Sequence, residues 1–203
     1  VANGRDGLGG PYTPEIAHQV DRRFWAHSAV DIDFAALSGK RVAVIGAGAS
    51  AMDNAATALE QGAGELHMII RRSDIPRINK FTGIASQGVV HGFQALNDRW
   101  KWKFLHHTLG AQTPPPRDST LRVSRHPNAR FWLNSPIASL QQQGDHVLLK
   151  TPSAEFALDF VIFATGFRVD LSLKPELQRF AADIKFWRDE YTAAADEQQE
   201  ELA

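Results

Sequence analysis

Between residues 40 and 72 the order of apolar and polar positions changes character three times. Residues 42–45, Val-Ala-Val-Ile, form an unbroken apolar run rich in β-branched side chains, the pattern of a short parallel strand buried on both faces. A glycine-rich turn follows. Small and apolar residues then fill a stretch at residues 49–61 that reads as a helix, and Gly62 and Gly64 supply stop signals beyond it. Residues 65–70 read as a second apolar strand. Strand, turn, helix and strand together predict an α/β fold with a Rossmann-like sheet.

The remaining pattern is weaker. Residues 4–14, rich in glycine and proline, predict a loop, residues 20–34 mix aromatic with charged side chains, and residues 77–88 have no clear period. Phe93, Leu96, Trp100 and Phe104 fall near helical spacing and predict a helix over 93–107. Within it, residues 99–104 interleave basic and aromatic side chains; burial of Trp100 and Phe104, with the lysines in water, is the expected arrangement. Single-stranded nucleic acid, an interfacial membrane helix or a lid over the site are the sharper alternatives. Pro114, Pro115 and Pro116 predict a stiff linker. The last third is β-rich, with short strands expected at 130–133, 137–140 and 146–150 and a turn at Gly144-Asp145. Residues 159–167 read as a buried strand ending in a small-residue turn, and the tail from Asp189 to Ala203 as an acidic helix or frayed end.

The turn carries the candidate chemistry. Gly46, Ala47, Gly48, Ala49, Ser50 and Ala51 spell G-x-G-x-x-A where strand becomes helix. Gly46 suits a tight turn, Gly48 lets backbone approach a pyrophosphate, and Ala51 keeps helix and strand close. The helix N-terminus adds unpaired N–H groups and the positive end of its dipole, and Ser50 a hydroxyl. NAD-specific folds usually place an acid near the end of the second strand, about 20 residues beyond the glycines. Here that end reads Arg71-Arg72-Ser73, whose planar guanidinium forks suit the 2′-phosphate of NADP. Two solvated surface arginines, and a unit of this shape without its ligand, are the plainer readings. Asp74 follows late enough to be a turn cap.

Composition narrows the function classes. With 22 basic and 23 acidic residues the net charge is −1, unlike the basic footprint of nucleic-acid binders. Cysteine is absent, which removes disulfides, thiolate nucleophiles, iron–sulfur clusters and thiolate zinc sites. The eight histidines form no H-E-x-x-H pair, and no metal site is expected. No apolar run approaches the roughly 18 residues of a membrane span, and the first residues are polar, so a cytoplasmic location without a membrane partner is expected.

With the strand end Phe163-Ala164-Thr165-Gly166-Phe167 set beside the glycine turn, the chain resembles the flavin-containing monooxygenase and Baeyer–Villiger-like family of FAD- and NAD(P)-dependent oxidoreductases. Residues 46–51 look like that family's second, NADP-binding glycine motif, and residues 163–167 like its F-A-T-G-Y/F motif. Val1-Ala2-Asn3-Gly4 resembles an earlier A-T-G strand end of the FAD domain, with Asn3 in place of threonine. His27 stands where the family's signature histidine would precede the NADP strand, without the phenylalanine and glycine expected before it. No first G-x-G-x-x-G for FAD is present, so a fragment of a longer flavoprotein is expected.

The resemblance implies two cofactors, NADP and FAD, with hydride transfer from NADPH to FAD followed by oxygenation of a small organic substrate. It places residues 1–37 at the end of the FAD domain and its linker, 38–158 in the NAD(P)-binding domain with a helical insertion at about 77–116, and 159–203 in a return segment towards a partial FAD domain. It further implies that Thr165 and Gly166 line the crevice where the two dinucleotides approach; no catalytic acid or base is assigned. Two other functions stay open: a non-enzymatic NADP-sensing Rossmann module and a flavin-free NADP-dependent dehydrogenase. The dehydrogenase would need a Tyr-x-x-x-Lys pair or other proton donor, and neither Tyr12 nor Tyr191 has a lysine four residues on.

Overall fold

The structure is a computed structural model that describes residues 9–84 and 86–195. The Val1–Gly4 strand end and the last part of the acidic tail lie outside the described residues. The chain divides into two compact units, Val1–Ile75 with Pro115–Leu173, and Pro76–Pro114 with Lys174–Ala203.

The first unit is α/β. In chain order its elements are β1 (Gly9–Pro11), β2 (Trp25–His27), β3 (Arg41–Ile45), α1 (Ala49–Glu60) and β4 (Glu65–Ile69). The elements of the second unit intervene here: α2 (Lys80–Ile84), α3 (Gln87–Gly92) and α4 (Asp98–Ala111). The first unit resumes with α5 (Arg117–Ser124), β5 (Ala129–Trp132), β6 (Ser139–Gln143), β7 (His146–Lys150), β8 (Glu155–Leu158), β9 (Phe160–Phe163) and β10 (Phe167–Val169), and α6 (Trp187–Glu190) ends the series in the second unit.

A five-stranded parallel sheet in the order β2-β9-β3-β4-β5 is the frame. The strand expected to lead back towards an FAD domain, β9, is inside this sheet between β2 and β3, so the sheet draws on all three segments anticipated from the sequence. At the opposite end of the strands Asp159 ties β9 to β3. Its carboxylate accepts from the Arg41 backbone N–H at 2.8 Å and from the guanidinium at 3.1 and 2.7 Å.

Both faces of the sheet are covered, which is why its strands read as continuous apolar runs. On one face Val42, Val44, Leu66, Met68 and Ile162 pack with Ala51, Met52, Ala55, Ala56, Ala58 and Leu59 of α1. The small residues let the helix lie close, and a large side chain such as Met52 contributes about 2 kcal/mol by its burial. On the other face Ala43, Ile45, Ile69, Val161 and Phe163 meet Leu140, Val147, Leu149, Phe156 and Leu158 of an antiparallel β6-β7-β8 sheet. The strand expected at 137–140 is displaced to Ser139–Gln143, and β8 and β2 are strands that the sequence reading did not anticipate.

The second unit is helical. Asn97 caps α4, its side-chain oxygen accepting from the Trp100 N–H at 3.1 Å. The helix begins at Asp98, later than expected, because residues 93–95 form a separate 3-10 turn. Burial differs from the sequence expectation at two positions of one face: Lys103 is 8% exposed and Trp100 43%, while Phe104 is half-buried. The lysine ammonium lies 5.3 Å from the Trp100 ring centre, so the aromatic face serves as a partner for the buried cation rather than as core.

Candidate nucleotide site

The carboxyl edge of the parallel sheet is laced by one repeated hydrogen bond. The residue just past each strand donates its N–H to the last carbonyl of the neighbouring strand: Ser28 to Phe163 at 3.0 Å, Ala164 to Ile45 at 3.0 Å, Gly46 to Ile69 at 3.1 Å and Ile70 to Trp132 at 2.9 Å. This row brings the glycine turn, residues 164–166 and residues 70–73 onto one edge. The chain connections diverge between β3 and β9, β3 running through α1 to β4 while β9 follows the small sheet. In open α/β sheets that divergence is where ligands bind.

Gly46 has φ +135°, and a Cβ there would stand 2.5 Å from the Ala164 carbonyl oxygen. The close approach of turn and strand end therefore requires glycine. Gly48 differs: it is the N-cap of α1 in extended conformation, and a Cβ on it would meet nothing within 4 Å. The space above it is open, as a bound pyrophosphate would need. No side chain caps α1 and no acid stands in its first turn, so its leading N–H groups and positive dipole end face that space uncompensated. Ala49 and Ser50 are exposed, Ala47 is half-buried, and Ala51 is buried against the sheet.

Beyond β4, Arg71 and Ser73 are exposed and Arg72 is half-buried. Among the described residues the Arg71 side chain makes no hydrogen bond or ion pair, whereas Arg72 has interactions of its own. Asp53 is on the second turn of α1, 3.8 Å from the Arg122 guanidinium, which also grips Glu60 with two bonds of 2.8 and 2.6 Å and clamps α5 to α1.

Thr165 and Gly166 lie at the same edge and are engaged in joining segments. The Thr165 hydroxyl donates to the Tyr12 carbonyl, and the Gly166 carbonyl accepts from the Tyr12 N–H at 2.9 Å and from His27 Nε2 at 3.0 Å. His27 Nδ1 accepts from the Ala29 N–H at 3.1 Å, which fixes the Nε2–H tautomer. Burial holds the His27 imidazole below its ordinary pKa, the bond to Gly166 acting against it and nearby Arg22 with it. Glycine and histidine spacing gave no sign of this knot, because its partners lie 139 and 153 residues apart.

Among the described residues no group of three or more His, Asp or Glu could hold a metal, and no helix is long and apolar enough to cross a membrane. The arrangement suits a ligand with a diphosphate at the helix N-terminus and a further anionic group near Arg71.

No family model matches the chain. The FAD-dependent urate hydroxylase of Xanthomonas campestris pv. campestris is 36% identical over 194 residues, covering 95% of this chain and 41% of the hydroxylase. The chain thus spans less than half the length of that relative. Among solved structures, the reduced form of ornithine hydroxylase from Pseudomonas aeruginosa has a TM-score of 0.66 at 18% identity, covering 87% of this chain and 48% of that one. The cadaverine monooxygenase of Erwinia amylovora, bound to FAD, also has a TM-score of 0.66, at 16% identity over 88% of this chain and 46% of its own. The ornithine N-hydroxylase of Kutzneria, with reduced FAD, NADP+ and L-ornithine, has a TM-score of 0.58 at 18% identity over 83% and 46%. These structural likenesses establish a shared fold, a parallel Rossmann-like sheet with a small antiparallel one. The sequence identity to the urate hydroxylase shows, over most of the chain's length, homology to class B flavin-dependent monooxygenases.

Proposed function

We propose that this chain is the NADPH-binding portion of an FAD-dependent monooxygenase. The observation that carries the reading is the open space over Gly48 at the uncapped start of α1, on the sheet edge where Gly46 meets Ala164. The residues present fit the nucleotide. Backbone N–H groups of Ala49, Ser50 and Ala51, with the Ser50 hydroxyl, would hold the pyrophosphate, Gly46, Ala47 and Gly48 keeping side chains out of its way. Arg71, with Arg72 and Ser73 beside it, would hold the 2′-phosphate. Thr165 and Gly166 would frame the nicotinamide side of the crevice. When bound, the cofactor pair supplies hydride transfer from NADPH to FAD and then oxygenation of a small organic substrate. This chain's part is to bind, orient and exclude water.

The test is titration of the chain with NADPH and NADH, repeated with Arg71→Ala and Arg72→Ala. NADPH should bind about tenfold tighter or better, as expected for a charge-assisted contact to phosphate, and Arg71→Ala should erase the preference. Equal affinities that neither substitution changes would reject the assignment.

A further inference from the structure

Arg71 stands between two anchored peptide groups. The Ser135 N–H donates to the Ile70 carbonyl at 2.9 Å and the Asn134 N–H to the Arg72 carbonyl at 2.8 Å, while the Ile70 N–H donates to Trp132 at 2.9 Å. The backbone on both sides of Arg71 is therefore fixed by residues 132–135, and its exposed side chain is left unengaged among the described residues. Asn134 achieves this in an unusual conformation, φ +51°, where L side chains are disfavoured and asparagine is among the best tolerated. Ser135 is buried and its hydroxyl donates to the Leu133 carbonyl at 2.9 Å, which fixes the turn from its other side. A backbone that relaxed to negative φ at 134 would turn the donor away from Arg72 and release the loop that carries Arg71.

We propose that Asn134 is a positioning residue for nucleotide choice: its left-handed backbone pins the 70–72 loop, and this pinning lets Arg71 read the 2′-phosphate. The inference rests on the role given to Arg71 above and adds that discrimination between NADPH and NADH is set partly on the neighbouring strand's loop. Asn134 itself touches no phosphate.

The experiment uses the full chain and two probes that differ only in the 2′-phosphate, 2′,5′-ADP and 5′-AMP, measured by calorimetry for the wild type, Asn134→Gly, Asn134→Ala, Asn134→Val and Arg71→Ala. Asn134→Gly keeps the N–H and accepts the positive φ, so it should retain the wild-type preference. Asn134→Ala and Asn134→Val strain the turn and should weaken 2′,5′-ADP by about tenfold while 5′-AMP, held by its 5′-phosphate, is unchanged. In the Arg71→Ala background Asn134→Ala should add nothing, because the two act through one contact. A loss of structure would weaken both probes together and would overturn the positioning role, as would an unchanged preference in Asn134→Ala. If Asn134→Val does not fold, Asn134→Ala against Asn134→Gly decides. A wild type that binds both probes equally would sink the NADP reading itself; a wild type that discriminates through Arg71 while the Asn134 variants follow it sinks only this inference.

Discussion

The α-carbon of Gly46 faces the carbonyl oxygen of Ala164 so closely that a Cβ would stand 2.5 Å from it. Two chain segments separated by more than a hundred residues thus share one edge, and the turn that would hold the nucleotide is also a packing contact. Gly46→Ala should therefore cost stability, about 1–3 kcal/mol from the strained backbone and more from the clash, seen as a lower melting temperature. Gly48→Ala, with open space around it, should melt close to wild type and lose nucleotide affinity. Equal melting temperatures for the two variants would contradict this division of roles.

His67 predicts acid sensitivity. It is buried beneath the small sheet, its Nδ1 accepting from the Trp132 indole N–H at 3.0 Å and its Nε2 facing Glu65 at 3.3 Å. Burial holds its pKa below the usual 6.5, Glu65 opposing that and Arg130 adding to it. The folded state then binds the proton less readily than the unfolded chain. Its stabilising effect is complete above 6.5 and is lost as pH falls from there through the folded value, and His27 acts in the same sense. Between about pH 7.5 and 5.5 the wild type should lose about 3 °C more in melting temperature than His67→Asn, which keeps an acceptor for Trp132 and does not titrate. Parallel pH profiles would count against it.

Asp159 acts at lower pH. The Arg41 hydrogen bond, first among its causes, holds the Asp159 carboxyl below its usual 3.8, so its contribution is present above that value and disappears as pH falls through the folded pKa. Because the Arg41 side chain is 41% exposed, the pair is screened, and Asp159→Asn should destabilise by only about 1 kcal/mol in urea unfolding. An unchanged midpoint would mean that the backbone ladder between β3 and β9 holds the two strands without help from the ion pair.

Thr165 offers a separation of two roles. Its hydroxyl bond to the Tyr12 carbonyl should be kept by Thr165→Ser and lost in Thr165→Val. Limited proteolysis should therefore find cleavage near residues 9–12 faster in Thr165→Val, by about fivefold for a lost bond worth about 1 kcal/mol. If cleavage is unchanged while NADPH affinity drops in Thr165→Val and not in Thr165→Ser, the hydroxyl serves the nucleotide and not the segment.

The β3-turn-α1-β4 unit was legible because every signal in it is local: apolar runs, glycines at fixed offsets and a helix of small residues all within about 30 positions. The fold class and the family followed from that unit together with residues 163–167. What stayed hidden depends on distant partners. Trp25, Ala26 and His27 become a strand because Val161, Ile162 and Phe163 lie beside them. The importance of Asn134 comes from a carbonyl 62 positions away in sequence, at Arg72. For α4, helical spacing identified which side chains share a face but not which of them is covered, and Lys103 rather than its neighbour Trp100 was buried.

The place of β9 between β2 and β3 has a consequence for how the molecule is made. Residues 160–163 form hydrogen bonds to strands that leave the ribosome more than a hundred residues earlier, so the carboxyl edge of the sheet cannot close until they have emerged. Until then β2 and β3 carry open edges, and folding of this unit is governed by long-range closure, the slow and aggregation-exposed regime of parallel sheets. A chain cut before Phe160 would keep the whole glycine motif and still lack the strand that packs beside it.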